Sequence, residues 1–335
     1  MPYFDRPVLS QVEVLSKTNK FSRSERRSKA NPMKPINIHN QILDDPHRDY
    51  LILAGPTAVG KTDTVMSLAE THDIEIISGD SRQIYKFMNI GTATPEAEML
   101  DRLPHHLLNE LTPDIVWNAA DFYNKAREII IEVMDRGRLP VVVGGAGMYL
   151  DALRFGLFDE QHKDPALREK YQAKVDAGEA EALWNQLMEL DPEYAGTFHY
   201  NNKKKLMRAF EIYESSGMVP SKAYSNSSDP FAKQGTLVVL DRDRKILYER
   251  INQRVLVMLE NGLIGECQAL LDRGYQPDLY PMKTIGYKEV YAFLNDEIDE
   301  AQMIDSIQQN TRNFAKRQLT WFRNHSFDYW IDLGS

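Results

Sequence analysis

A single cysteine, Cys267, in 335 residues excludes an internal disulfide framework and a zinc site built on thiolates. No apolar run approaches the roughly 18 residues of a membrane span, and the N-terminus lacks the apolar core of a secretory signal. Positive charge is not in excess either: 49 acids against 40 bases give a net charge of −9. A polyanionic partner would therefore have to be met by local basic patches. What remains is the composition of an ordinary globular protein, long enough for one full α/β domain plus an appendage. Cys267 falls in the helical pattern LIGECQALL and reads as a buried core thiol. The expectation is a cytoplasmic monomer that meets no membrane.

Residues 1–48 read as a disordered basic tail. Between Lys17 and Lys34 seven basic residues face one acid, Glu25, among serines and asparagines with almost no apolar periodicity. Such a segment cannot bury enough surface to offset its ordering entropy. A transit peptide is one explanation, weakened by Asp5, Glu13 and Glu25; a start upstream of Met33 is another.

The stretch YLILAGPTAVGKT, residues 50–62, organises the rest. An apolar run breaks at Gly55, and Gly55, Pro56, Thr57, Ala58, Val59, Gly60, Lys61 and Thr62 fit GxxxxGK[ST], the phosphate-binding loop. Glycines let backbone N–H groups close around phosphate oxygens, Lys61 adds a point charge, and the Thr62 hydroxyl can hold a magnesium ion. The following helix adds its positive N-terminal end. The preceding run is apolar on both faces, as a central parallel strand should be.

Ile74 to Ser78 form a second short strand, with Asp80 just past its C-terminal end, the edge where open parallel sheets bind ligands. A carboxylate there can act as a base or a magnesium partner; as an alternative, Asp80 and Ser81 serve as a helix cap for the next segment. His105 and His106 are adjacent, would point to opposite faces of a strand, and are not read as a metal pair. WNAADFYNKAREIIIEVMDRGRLP is an amphipathic helix with Phe122, Ala126, Ile129, Ile130 and Val133 on one stripe. PVVVGGAGMYLDAL at 140–153 is another buried strand breaking at Gly144 and Gly145, with a helix opening after Gly147. About eighty residues of helical pattern then precede the strand TLVVLD at 236–241. Within them Lys203, Lys204, Lys205 and Arg208 cluster at a helix start, where cations oppose the helix dipole. Arg250 and Arg254, four apart, share a helix face. The last helix interleaves Arg312, Lys316, Arg317 and Arg323 with Phe314, Trp321 and Phe322, a pattern suited to RNA, although Trp321 and Phe322 equally suit a core. The fold class expected is an α/β phosphate-loop protein, a parallel sheet flanked by helices, with a core at 49–156 and 235–335 and a helical insertion at 157–234.

GPTAVGKT followed by DSRQIYKFMNIGTATP resembles the tRNA dimethylallyltransferases. So do PHHLL, GRLPVVVGGAGMYLDAL, RAFEIYESSG, LYERINQRV, KTIGYKEV and NTRNFAKRQLTWFR, in the family's order from about residue 50 to the C-terminus. The resemblance implies transfer of a dimethylallyl group from dimethylallyl diphosphate to the exocyclic amine of an adenine beside the anticodon. It implies Mg2+ at Thr62 and a diphosphate held by Gly55–Thr62. It also implies a catalytic set of Asp80, Lys61, Thr62 and Arg250, with Arg244 as the alternative arginine. For the tRNA anticodon stem-loop it implies contacts at Asp80, Ser81, Arg82, Gln83, Ala146, Arg168, Lys204, Lys205, Arg208, Lys283, Tyr287 and Lys288. Three positions depart from the family: Ala146 stands where a threonine is usual, and Asn202 and Lys205 where Asp and Arg are common. A lysine keeps the charge of an arginine but not its bidentate fork. The rivals are a small-molecule kinase or NTPase, an isopentenyltransferase acting on free adenine nucleotides, and a non-catalytic RNA-binding module.

Overall fold

The computed structural model describes residues 13–16, 42, 48–156, 164–225, 231 and 233–334. Its strands are β1 Glu13–Ser16, β2 Tyr50–Ala54, β3 Ile74–Ser78, β4 His105–His106, β5 Leu139–Gly144, β6 Gly235–Asp241 and β7 Tyr329–Asp332. Its helices are α1 Lys61–Ala69, α2 Ala97–Arg102, α3 Ala119–Asp135, α4 Gly147–Phe155, α5 Pro165–Asp176, α6 Ala180–Leu190, α7 Pro192–Ala195, α8 Lys203–Ser216, α9 Pro220–Ser225, α10 Arg244–Glu260, α11 Leu263–Asp272, α12 Tyr287–Leu294 and α13 Glu300–Asn324. Two compact units divide the chain: residues 1–151 with 232–335, and residues 152–231.

The first unit is built on one sheet in the order β1-β7-β6-β2-β5-β3-β4. Every neighbouring pair is parallel except β1, which lies antiparallel on β7. The strand that leads into the phosphate loop, β2, is therefore central, between β6 and β5. All five residues of β2 and of β3 are buried, which is why β2 reads as an unbroken apolar run rather than an alternating one, whereas β3 buries Glu75 and Ser78 among its isoleucines. β1 departs from the reading of residues 1–48 as structureless. Its backbone satisfies the edge of β7, an edge that otherwise offers unpaired N–H and C=O groups. Most of the remainder of that tail lies outside the described residues.

Helix α3 shows how local sequence fixes an element. The Asn118 side chain accepts from the N–H groups of Ala120 and Asp121, and the Asp121 carboxylate accepts from the Asn118 N–H, closing a capping box. Phe122, Ala126, Ile129, Ile130 and Val133 are all buried, each large side chain contributing roughly 1.5–3 kcal/mol.

At the N-terminal end of β3, Glu75 is 2% exposed and is surrounded by donors. Arg136 binds both its oxygens at 2.9 and 2.8 Å, Arg138 donates at 3.3 Å, and His106 Nε2 lies at 2.7 Å. The hydrogen bonds from Arg136 chiefly, against the opposing effect of burial, hold its carboxyl down at about 2. His106 is thus a partner of Glu75, and burial pushes the His105 imidazole below its ordinary value.

The second unit is helical. Tyr171, Val175, Leu183, Leu187, Leu206 and Phe210 form its core, with the Tyr171 and Phe210 rings stacked at 4.9 Å. Among the described residues no helix is long and apolar enough to cross a membrane.

Candidate active site

Residues 55–60 turn from the end of β2 into α1, at the C-terminal edge of the sheet. Gly60 takes φ +117° as the N-cap of α1, a conformation that L side chains rarely adopt. The Lys61 ammonium curls back over the loop and donates to the carbonyls of Gly55 at 3.0 Å and Pro56 at 2.9 Å. Burial pushes its pKa down to about 8, with the Asp80 carboxylate opposing the fall and Arg254 adding to it. A cation in that condition gains most from an arriving anion. Thr62 is exposed in the first turn of α1. Its hydroxyl suits magnesium, which takes one or two protein oxygens and completes its shell with phosphates and water. Among the described residues no three His, Cys, Asp or Glu side chains gather to hold a metal by themselves.

Asp80 follows β3 on the same edge. Its Oδ1 accepts from the Arg82 N–H at 2.8 Å, so the capping role and the chemical one coexist. Among the described residues no hydrogen bond engages Oδ2. The carboxylate acts electrostatically on both Lys61 and Arg254, which sets an acceptor beside the cations of the loop.

Two arginines of α10 reach the loop in different ways. Arg250 Nε donates to the Ala58 carbonyl at 2.9 Å, and its Nη2 pairs with Asp63 at 3.5 Å. Arg254 Nη1 donates to the Thr57 hydroxyl at 3.3 Å, and burial pushes its pKa below the ordinary arginine value. Arg254, not Arg250, shares the Lys61 and Asp80 field most directly. The i, i+4 pairing of the two was visible in sequence, but only tertiary packing separates their roles. Arg242 also reaches the loop, with Nε donating to the Val59 carbonyl at 3.2 Å. Arg244 instead lies over the Tyr248 ring.

The second glycine turn closes on the first site by backbone contact. A Cβ on Gly144 would come within 2.2 Å of the Gly79 carbonyl oxygen, so glycine is required where β5 passes the end of β3. Gln318 of α13, 8% exposed, ties this turn to the phosphate loop. Its Oε1 accepts from the Thr57 N–H at 2.9 Å and its Nε2 donates to the Gly145 carbonyl at 3.0 Å. Sequence reading missed Gln318, because no local pattern marks a helix residue whose partners are 261 and 173 positions away. Ala146 immediately precedes α4, its carbonyl accepting from the N–H groups of Tyr149 and Leu150.

Two residues read as RNA contacts hydrogen-bond within the protein. The Gln83 side chain accepts from the Ser78 hydroxyl at 2.9 Å and donates to the carbonyls of Thr92 and Ala93. Tyr287 is fully buried, and its hydroxyl donates to Glu266 Oε1 at 2.6 Å. Both support the segment after Asp80: Tyr287 from the core, and Gln83, half-buried, through its links to Ser78, Thr92 and Ala93. The Arg82 guanidinium lies 4.3 Å from the centre of the Tyr280 ring, and its buried Nη1 has no hydrogen-bond partner among the described residues. Ser81 is half-buried; Lys283 and Lys288 are exposed. In the second unit Arg168, Lys204 and Lys205 are exposed, whereas Arg208 pairs with the buried Glu211 at 3.1 Å. Asn202 accepts from the Lys205 N–H as N-cap of α8, a duty asparagine performs as well as aspartate. On α13, Lys316, Arg317 and Arg323 are exposed and Phe322 is core.

A phosphate loop between the central strand and the first helix of a parallel sheet, with a carboxylate past the end of β3, the next strand but one, defines an α/β protein of the P-loop NTPase-like class. Comparison with known proteins places it more narrowly. The family model described as IPP transferase matches residues 83–325, more than half of the chain, and the protein belongs to that family. It is 41% identical over 292 residues to the tRNA dimethylallyltransferase of Bacillus velezensis, spanning 87% of this chain and 93% of that one. It is 42% identical over 291 residues to the protein of that name from an Exiguobacterium species, at 85% and 90% coverage. The crystal structure of the full-length tRNA isopentenylpyrophosphate transferase of Bacillus halodurans superposes with a TM-score of 0.63 at 39% identity, covering 86% of this chain and 91% of that one. A eukaryotic dimethylallyltransferase crystallised while acting on tRNA gives a TM-score of 0.71 at 25% identity, with 85% and 74% covered.

Proposed function

We propose that the protein transfers the dimethylallyl group of dimethylallyl diphosphate to N6 of the adenine 3′ to the anticodon of tRNA, releasing diphosphate. The observation that carries this reading is the free Oδ2 of Asp80 set in the field of Lys61 and Arg254. A general base and a cluster of cations for a leaving group are what the reaction needs side by side.

In this reading the loop Gly55–Thr62 holds the diphosphate, with Lys61 and Arg254 neutralising the charge that develops as the C1–O bond breaks. Fixed cations act most strongly on charge that grows in the transition state. Arg250 and Arg242, bonded to loop carbonyls, keep the loop in shape. Magnesium, held by the Thr62 hydroxyl and the diphosphate, would add further charge neutralisation. The N6–C1 bond forms as the other breaks, and Asp80 Oδ2 takes the N6 proton as general base. The base must leave its stack to reach the sheet edge, which a loop nucleotide does at low cost. The exposed Arg168, Lys204 and Lys205 would contact tRNA phosphates. A cytoplasmic location belongs to the same reading.

The test incubates the protein with labelled dimethylallyl diphosphate, magnesium and unmodified tRNA. Label in the RNA, accompanied by stoichiometric diphosphate, is expected. Nucleoside triphosphate turnover without prenyl transfer would replace this reading with a kinase or NTPase, and equal rates on free AMP with a nucleotide isopentenyltransferase.

A further inference from the structure

The segment after Asp80 breaks two local rules at one residue. Phe87 has φ +67°, a left-handed conformation that a bulky side chain adopts only at a cost. It is also 39% exposed. A turn position of this kind would ordinarily carry glycine or a small polar residue. Strain of this sort persists only where the surroundings over-determine the backbone, and here they do. Ile84 and Tyr85 before it and Met88 after it are buried at 1%, 0% and 0% exposure. The Lys86 N–H donates to the Leu111 carbonyl at 2.7 Å.

The strongest restraint is Glu266 of α11. Its carboxylate accepts from three successive backbone N–H groups, Asn89 at 2.7 Å, Ile90 at 2.8 Å and Gly91 at 3.0 Å, and from the Tyr287 hydroxyl at 2.6 Å. Three consecutive N–H groups converging on one anion form a rigid concavity. Gly91 packs so closely on the Tyr287 ring that a Cβ would lie within 2.4 Å of it. At its other end the segment is tied back to β3 by Gln83. The result is a stiff loop, rooted beside Asp80, that turns an aromatic ring outward. The Arg273 guanidinium lies 4.4 Å from the centre of that ring, and Tyr275 sits at 6.4 Å, tilted by 31°.

An exposed aromatic face backed by a guanidinium is the chemistry that receives an unstacked nucleobase. We propose that Phe87, with Arg273 behind it, is a stacking platform for a nucleotide of the RNA substrate neighbouring the one that reacts. The inference rests on the RNA-directed reading above. It assigns Phe87 and Arg273 a positioning role: a base stacked there keeps its neighbour extruded toward Asp80. Glu266 and Tyr287 keep the platform in place.

The experiment compares wild type with Phe87→Asn and Phe87→Trp. Asparagine tolerates the left-handed conformation, so the loop keeps its shape while the ring is lost; tryptophan retains a stacking face. Phe87→Asn is expected to raise the KM for tRNA and the dissociation constant of an anticodon stem-loop about tenfold, the scale of one lost base stack. Its KM for dimethylallyl diphosphate and its Tm should match wild type, and Phe87→Trp should restore RNA affinity. Unchanged RNA affinity in Phe87→Asn would overturn the inference, as would an equal loss in both variants, since loop shape rather than stacking would then be at work. Anisotropy reads stem-loop binding without catalysis, so the two ideas fail separately. RNA binding that depends on Phe87 without prenyl transfer sinks only the reaction; transfer by wild type with indifferent Phe87 variants sinks only the platform.

Discussion

The Lys61 ammonium is held where the fold alone would not choose to keep a cation. Burial lowers its pKa from 10.5 to about 8, a difference on the order of 3 kcal/mol between the charged and neutral forms. At pH below about 8 both the folded and the unfolded chain carry the proton, and the whole cost of the buried charge is present. Between about 8 and 10.5 the folded chain has released a proton that the unfolded chain keeps, so stability rises with pH; above 10.5 the cost is gone. Lys61→Met removes the charge but leaves the Gly55 and Pro56 carbonyls without their donor, a loss of about 1 kcal/mol each. The Lys61 side chain keeps partial contact with solvent, and screening there reduces the gain further. The net expectation is a variant less than about 1 kcal/mol more stable than wild type near pH 7, the difference changing sign as pH approaches 10.5, where the charge cost is gone and only the two lost hydrogen bonds remain. Urea unfolding at pH 7 and pH 10, with and without diphosphate, measures this. Diphosphate should stabilise the wild type and leave Lys61→Met unaffected. A variant less stable than wild type by the same amount at both pH values would show that Lys61 is a structural donor and refute the reasoning.

Other perturbations separate chemistry from scaffold. Asp80→Asn keeps the acceptor for the Arg82 N–H but cannot take a proton; kcat should fall about 10²–10⁴-fold with little change in the KM for dimethylallyl diphosphate, read by steady-state kinetics. Gln318→Leu leaves the Thr57 N–H and the Gly145 carbonyl buried and unpaired. Denaturant titration should show a loss of about 2 kcal/mol, and the KM for dimethylallyl diphosphate should rise. For Glu75, the folded carboxyl sits near 2 against an ordinary 4.5, so its stabilisation is complete above 4.5 and lost as pH falls through about 2. Glu75→Gln should flatten that acid limb and cost about 2 kcal/mol at neutral pH, a result that acid unfolding followed by circular dichroism can deny.

Sequence made the skeleton of the first unit legible because its signals are local. The apolar runs of β2 and β5 have no polar face to alternate with, the stripe Phe122, Ala126, Ile129, Ile130 and Val133 marks α3, and GxxxxGKT names its own backbone conformation. Asp80 was legible for the same reason, standing at the end of a short strand beside a loop of known chemistry. The residues that are exposed in the second unit, Lys204 and Lys205, were legible as charge but not as contacts.

What only the tertiary structure decided is the sharing of tasks among distant residues. Arg250 and Arg254 are equivalent on a helical wheel; one braces a loop carbonyl and the other lies in the field of Lys61 and Asp80, because α10 crosses the loop at one particular height. Gln318 clamps two glycine turns, and Tyr287 and Gln83 turn inward, through hydrogen bonds between segments that no local window contains. β1 pairs with β7 because a backbone edge accepts almost any extended chain, whatever its side chains. Backbone conformation and burial period are properties of a few consecutive residues and were written in the chain; which polar group meets which depends on long-range packing, and that was settled only when the sheet brought the ends of β2, β3 and β5 to one edge.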